Sequence, residues 1–162
     1  MRTPANIKGH PIHPMLVTIP IGLWVFSFVS DLICMRSAAP ETWHTVAYWT
    51  LVGGIVGALI AAVPGLIDLL SLKDAAIRKT GLTHMAINLS VVTLYVVNAV
   101  LRYRDPQALT VPFTLSLIAI LMLLVSGWLG GKMVYLAGVG VSTEGAEAHE
   151  QMASRGPEPR KR

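Results

Sequence analysis

The chain is 162 residues long, 53% hydrophobic and only 14% charged, with a net charge of +4 and a single cysteine, Cys34. A soluble domain carries about 25% charged residues, so this composition argues against a soluble globular protein, and one cysteine excludes both an internal disulfide and a cysteine metal cluster. The basic excess reads as membrane topology rather than nucleic-acid binding, because the Lys and Arg residues flank long apolar runs.

A bilayer is crossed by about 20 apolar residues at roughly 1.5 Å rise each, and a soluble helix rarely stays apolar all round for that length. Span one is expected at residues 15–35. It is preceded by GHPIHP, Gly9 to Pro14, which sets two histidines at the membrane entrance. Pro14 suits a first helical turn, where a missing N–H costs nothing, and Pro20 is expected to kink the helix deeper in. The run is too long for a cleavable signal, so an uncleaved span is expected. Span two is expected at 43–72, interrupted by Pro64-Gly65, span three at 82–101 and span four at 112–136. The short connections imply antiparallel neighbours, hence an all-α integral membrane four-helix bundle of up-down-up-down order within residues 1–141. Residues 142–162 are polar, rich in Glu, Gly and Pro, and end Arg160-Lys161-Arg162. They are expected to form a disordered cytoplasmic tail.

The basic residues distribute unevenly between the two sides of such a bundle. Arg2, Lys8, Lys73, Arg78, Lys79, Lys132, Arg155, Arg160, Lys161 and Arg162 fall on the side of the termini, and only Arg36, Arg102 and Arg104 on the other. Positive residues stay inside, so both termini are expected in the cytoplasm. Gly53 and Gly57 in span two, and Gly127 and Gly131 in span four, have the small-xxx-small spacing that lets helices approach closely.

Titratable groups inside a span are costly in hydrocarbon and mark a function or a pairing. His13, Asp68 and His84 come from three spans and are expected at similar depth near the cytoplasmic side. His84, Asn88, Val91, Tyr95, Asn98 and Arg102 form a stripe along span three with a period near 3.5 residues, so one face of that helix points into the bundle. Asp31 and His44 lie toward the outer side, within reach of Asn98 and Arg102. The plainest reading is structural: His10 and His13 as interfacial tips, Asp68 paired with a nearby base, Asp74 as a solvated loop charge, and Asn88, Tyr95 and Asn98 as interhelical contacts. The sharper reading takes His13 and His84 as axial ligands of one haem, with Asp68 and Asn88 orienting them. Quinone binding and proton-linked small-molecule transport use the same groups, and a non-catalytic anchor subunit needs none of them. No pattern suggests nucleophilic catalysis, a phosphate-cradling loop or a nucleotide fold, so an enzyme by itself is not expected.

Four blocks carry a family likeness: GHPIHPMLVTIPIGLWVFSFVSDL (Gly9 to Leu32), AAVPGLIDLL (Ala61 to Leu70), THMAINLSVVTLYVVN (Thr83 to Asn98) and SGWLGGKMVYLAGVGV (Ser126 to Val141). In this order they resemble the bacterial membrane-protein family catalogued as domain of unknown function 2231. The resemblance implies a four-span protein of the bacterial cytoplasmic membrane, with His10, His13, Asp31, Asp68, His84 and Asn88 at the family's block positions. Some relatives are joined to Rieske-type iron–sulfur domains, which implies redox or quinone work with a membrane-complex partner or a second copy of the chain. This sequence departs from the pattern at Ala137, where relatives often carry a histidine before Gly138, and at Thr18, where many carry another.

Overall fold

A computed structural model describes residues 3–141; the expected tail, 142–162, lies outside the described residues. The chain opens with a minimal hairpin, β1 (Asn6–Ile7) against β2 (His10–Pro11). Its two-residue turn, Lys8-Gly9, has positive φ at both positions, +50° and +83°, the conformation that matches the twist of paired strands. Then follow α1 (Ile12–Leu16), α2 (Thr18–Cys34), α3 (Pro40–Ser71), α4 (Ala75–Arg104) and α5 (Thr110–Gly131), which ends in a π-helical turn, Lys132–Leu136.

Four stretches are long and apolar enough to cross a membrane: Ile12–Cys34, Pro40–Ser71, Ala75–Arg104 and Thr110–Leu136, each containing an 18-residue window with mean hydropathy of 1.9, 2.2, 1.6 and 2.1 respectively. At about 1.5 Å per residue, α3 and α4 each exceed the roughly 30 Å hydrocarbon core. Their ends therefore reach past the hydrocarbon. Several boundaries differ from the expectation, each for a local reason. Pro20 has no N–H for the Leu16 carbonyl, and its ring crowds that carbonyl. The break accordingly falls at Val17 and divides span one into α1 and α2. Span three begins seven residues early because Asp74 is its N-cap, accepting from the backbone N–H groups of Ala76 and Ile77 at 2.9 Å each. Asp74 is thus a cap rather than a free loop charge. Pro64-Gly65 does not interrupt span two; α3 runs through it to Ser71.

α2 packs most extensively on α3, and α4 on α5; α3–α4 and α2–α5 contacts join the two pairs. The centre is apolar. Trp24 stacks on Tyr95 with ring centres 4.3 Å apart and planes 12° from parallel, and Leu51, Val91 and Ala119 fill the space around them. Gly54 admits the Trp24 indole, since a Cβ there would overlap it. The Gly53–Gly57 face does pack closely on α2, meeting Leu23 and Ile19. Gly127 has nothing within 4 Å of where its Cβ would stand, so the expected Gly127–Gly131 contact is not made among the described residues.

One ion pair ties three helices. Arg102 of α4 grips Asp31 of α2 with two N–H···O bonds of 2.8 and 2.6 Å, and its Nε donates to Asn98 at 2.8 Å. Asn98 in turn donates to the Pro112 carbonyl and to Ser116 Oγ of α5. Both charged side chains are fully buried. Removing one member of such a pair strands the other and costs about 3–5 kcal/mol, whereas replacing both with apolar side chains costs far less. Arg102→Ala and Asp31→Ala should each lower Tm sharply in detergent, while Asp31→Leu combined with Arg102→Met recovers most of the loss. Additive losses in the double variant would contradict this account.

Candidate functional site

The histidine at the entrance is set by the break at Val17. α1 lies along α3, and His13 Nδ1 meets the Ala61 carbonyl at 2.8 Å. The ring lies flat against α3 because position 65 is glycine: a Cβ there would come within 2.7 Å of His13 Nδ1. The second imidazole, His84 of α4, is held by α5. Its Nδ1 lies 2.9 Å from both the carbonyl and the hydroxyl oxygen of Ser126, and its Cε1 lies 3.3 Å from where a Gly130 Cβ would stand. Asn88, one turn along, donates to the His84 carbonyl at 2.9 Å and to Ser126 Oγ at 2.8 Å. The two rings come together with centres 6.4 Å apart and planes perpendicular.

These contacts fix the tautomers. A carbonyl oxygen only accepts, so Nδ1 of each neutral ring must carry the hydrogen, and Nε2 then holds a bare lone pair. A Ser126 hydroxyl donating to His84 Nδ1 would leave that nitrogen's lone pair facing the carbonyl at 2.9 Å, which is repulsive. Neither Nε2 has a hydrogen-bond partner among the described residues. Both rings are half-buried.

Asp68 has a different task from the one expected. Its Oδ1 accepts from the Ala5 N–H at 2.9 Å and so fastens the N-terminal segment ahead of β1 to α3; neither imidazole is bonded to it. His10 lies in β2, exposed and paired with Ile7. The remaining candidates gather some 20 Å farther along α4, at about 1.5 Å per residue: Asp31, Arg102, Asn98 and Tyr95. His44, near the start of α3, joins them electrostatically, with Arg102 and Asp31 its charged neighbours. The nine expected residues thus divide into His13, His84 and Asn88 at one end, Asp31, His44, Tyr95, Asn98 and Arg102 at the other, and Asp68 at the N-terminal segment. Sequence reasoning missed the Ala61 carbonyl, Gly65, Ser126 and Gly130. All four sat in quoted blocks, and Ser126 could have been read as a polar residue in a span that needs a partner.

Residues 9–143 match a family model described as a predicted membrane protein, DUF2231. The chain belongs to this family. No curated protein and no solved structure matches it. The DUF2231 match begins at Gly9 and takes in both imidazoles, the α3 and α5 positions they rest on, and the far ion pair.

The close seat of His13 makes a sharp prediction for this DUF2231 protein. Gly65→Ala should displace the ring and destabilise by about 1–3 kcal/mol, as overpacking does. Gly22→Ala, where a Cβ meets nothing within 4 Å, should be neutral or slightly stabilising because alanine favours helix. Thermal melts of the two variants check this; equal effects would contradict the seat described.

Proposed function

We propose that this membrane protein is a redox subunit that holds the iron of a b-type haem between His13 and His84. One observation carries the reading: both imidazoles spend Nδ1–H on a backbone carbonyl and keep Nε2 as a free lone pair. Metal-ligating histidines nearly always have that arrangement, because the second hydrogen bond fixes the ring and raises its basicity. The spacing agrees. The two ring centres lie 6.4 Å apart, so one group bound at this end of the bundle would be within reach of both imidazoles. The donor set favours haem over a bare ion. Among the described residues no three His, Cys, Asp or Glu side chains are grouped to hold a metal, whereas a haem would need only His13 and His84 from the protein and would supply one-electron redox chemistry.

The same tautomers bear on the alternatives. An oxidised quinone asks for donors to its carbonyl oxygens, and a bare Nε2 can only accept. A proton path along α4 meets the Trp24–Tyr95 stack with Val91, Leu51 and Ala119 in the middle of the bundle, where each is buried. In this reading Asn88 and Ser126 steady His84, and Ala61 steadies His13. The order is up-down-up-down with both termini cytoplasmic, which sets the haem near the inner face of a bacterial cytoplasmic membrane. The electron partner would be a membrane-complex subunit or a second copy of the chain.

The test is an absorption spectrum of protein purified from cells with ample haem supply, oxidised and then reduced with dithionite. A sharp reduced α-band, lost in His13→Ala and in His84→Ala and kept in His10→Ala, is expected. A featureless spectrum from folded protein defeats the haem reading, and metal analysis of the same sample then tells whether a bare ion sits there instead.

A further inference from the structure

The far polar cluster leaves more hydrogen-bonding groups unmatched than a dry interior tolerates. Arg102 is 1% exposed and Tyr95 and Asp31 are 0% exposed. A guanidinium has five N–H donors. Arg102 uses three of them, one on Asn98 and two on Asp31, so two N–H groups of a buried cation point elsewhere. Tyr95 Oη and His44 Nε2 are also buried with no partner among the described residues. The tyrosine cannot swing to the surface to repair this, because its ring is stacked on Trp24. Asp31, for its part, retains acceptor capacity beyond the two bonds it receives. Geometry brings these groups to one end of the bundle: hydrogen bonds from Ser27 to the Ala47 carbonyl and from Cys34 to the Pro40 carbonyl pair α2 with α3 on either side of Asp31 and His44, and Tyr95 lies on the same buried face of α4 as Asn98 and Arg102.

Leaving one such donor unsatisfied costs about 1–3 kcal/mol, and more for a charged group. A buried water that finds two to four polar partners removes that cost. We propose that the far end of the bundle holds an internal-water site, bounded by Tyr95 Oη, the two spare Arg102 N–H groups, Asp31 and His44 Nε2. Water accepts from the guanidinium and from the tyrosine hydroxyl and donates to the Asp31 carboxylate or to His44. The Trp24–Tyr95 stack and Leu51, Val91 and Ala119 close this chamber from the histidine pair, so its hydration is independent of anything bound there.

Radiolytic hydroxyl-radical footprinting of the full chain in lipid nanodiscs tests this directly, because the radicals form from whatever water is present and label its neighbours. Tyr95 should label several-fold above Trp24, although the indole is the more reactive ring; Trp24 is 2% exposed and its Nε1 is already bonded to the Leu51 carbonyl. Exposed His10, which lies outside the four membrane-spanning stretches, serves as the water-exposed reference. Labelling of Tyr95 at the Trp24 level overturns the proposal. A second readout is Tyr95→Phe. Loss of a hydrated hydroxyl lowers Tm, whereas loss of a dry, unsatisfied one leaves Tm unchanged or raises it, and that result overturns the proposal as well.

Discussion

Polar groups in hydrocarbon have no bulk water to turn to, and their side chains must face partners inside the bundle. That constraint organises this protein. Four polar side chains of helix α4 bond to a neighbouring helix: Arg102 to Asp31 of α2, Asn98 to Pro112 and Ser116 of α5, Asn88 and His84 to Ser126 of α5. Tyr95, between them, lies on Trp24 of α2. The polar contacts thus tie α4 to its packed neighbour α5 and, across the bundle, to α2. The apolar residues that face outward in large numbers, such as Leu59, Val63 and Leu124, meet the lipid that a soluble protein would have to avoid.

The same constraint determines what the histidines can do. In water an imidazole exchanges tautomers freely; here each ring is pinned by a carbonyl that can only accept, and the lone pair is left on Nε2. Two glycines, Gly65 and Gly130, let the rings lie against helix backbone instead of standing off by a side chain. The result is a pair of imidazoles, edge to face, at one end of the bundle, separated by an aromatic plug from a buried ion pair at the other.

Much of this was legible in the residues. The four apolar runs mark four spans, and the 3.5-residue spacing from His84 to Arg102 marks the inward face of α4 because a polar stripe in lipid has nowhere else to face. What was hidden depends on interactions that periodicity does not carry. The early start of α4 comes from a single capping carboxylate, Asp74. The placement of His13 depends on the rotation of α1, which follows from the break before Pro20 and from the room at Gly65. Asp68 sits at the expected level, yet it bonds to the backbone of Ala5 in a segment whose hairpin gives almost no pattern in five or six residues. The Gly127–Gly131 spacing resembled a packing motif, but spacing alone does not say which side of a helix meets a neighbour.

The central claim is that His13 and His84 both present a bare Nε2. The most direct measurement is nitrogen-15 NMR of histidine-labelled, metal-free protein in lipid nanodiscs at neutral pH, with His10, His44 and His149 replaced so that only the two rings report. For the neutral form of each ring the account predicts the proton on Nδ1 and a nonprotonated Nε2 signal. A proton on Nε2 in either neutral ring would break the corresponding carbonyl bond and contradict the account.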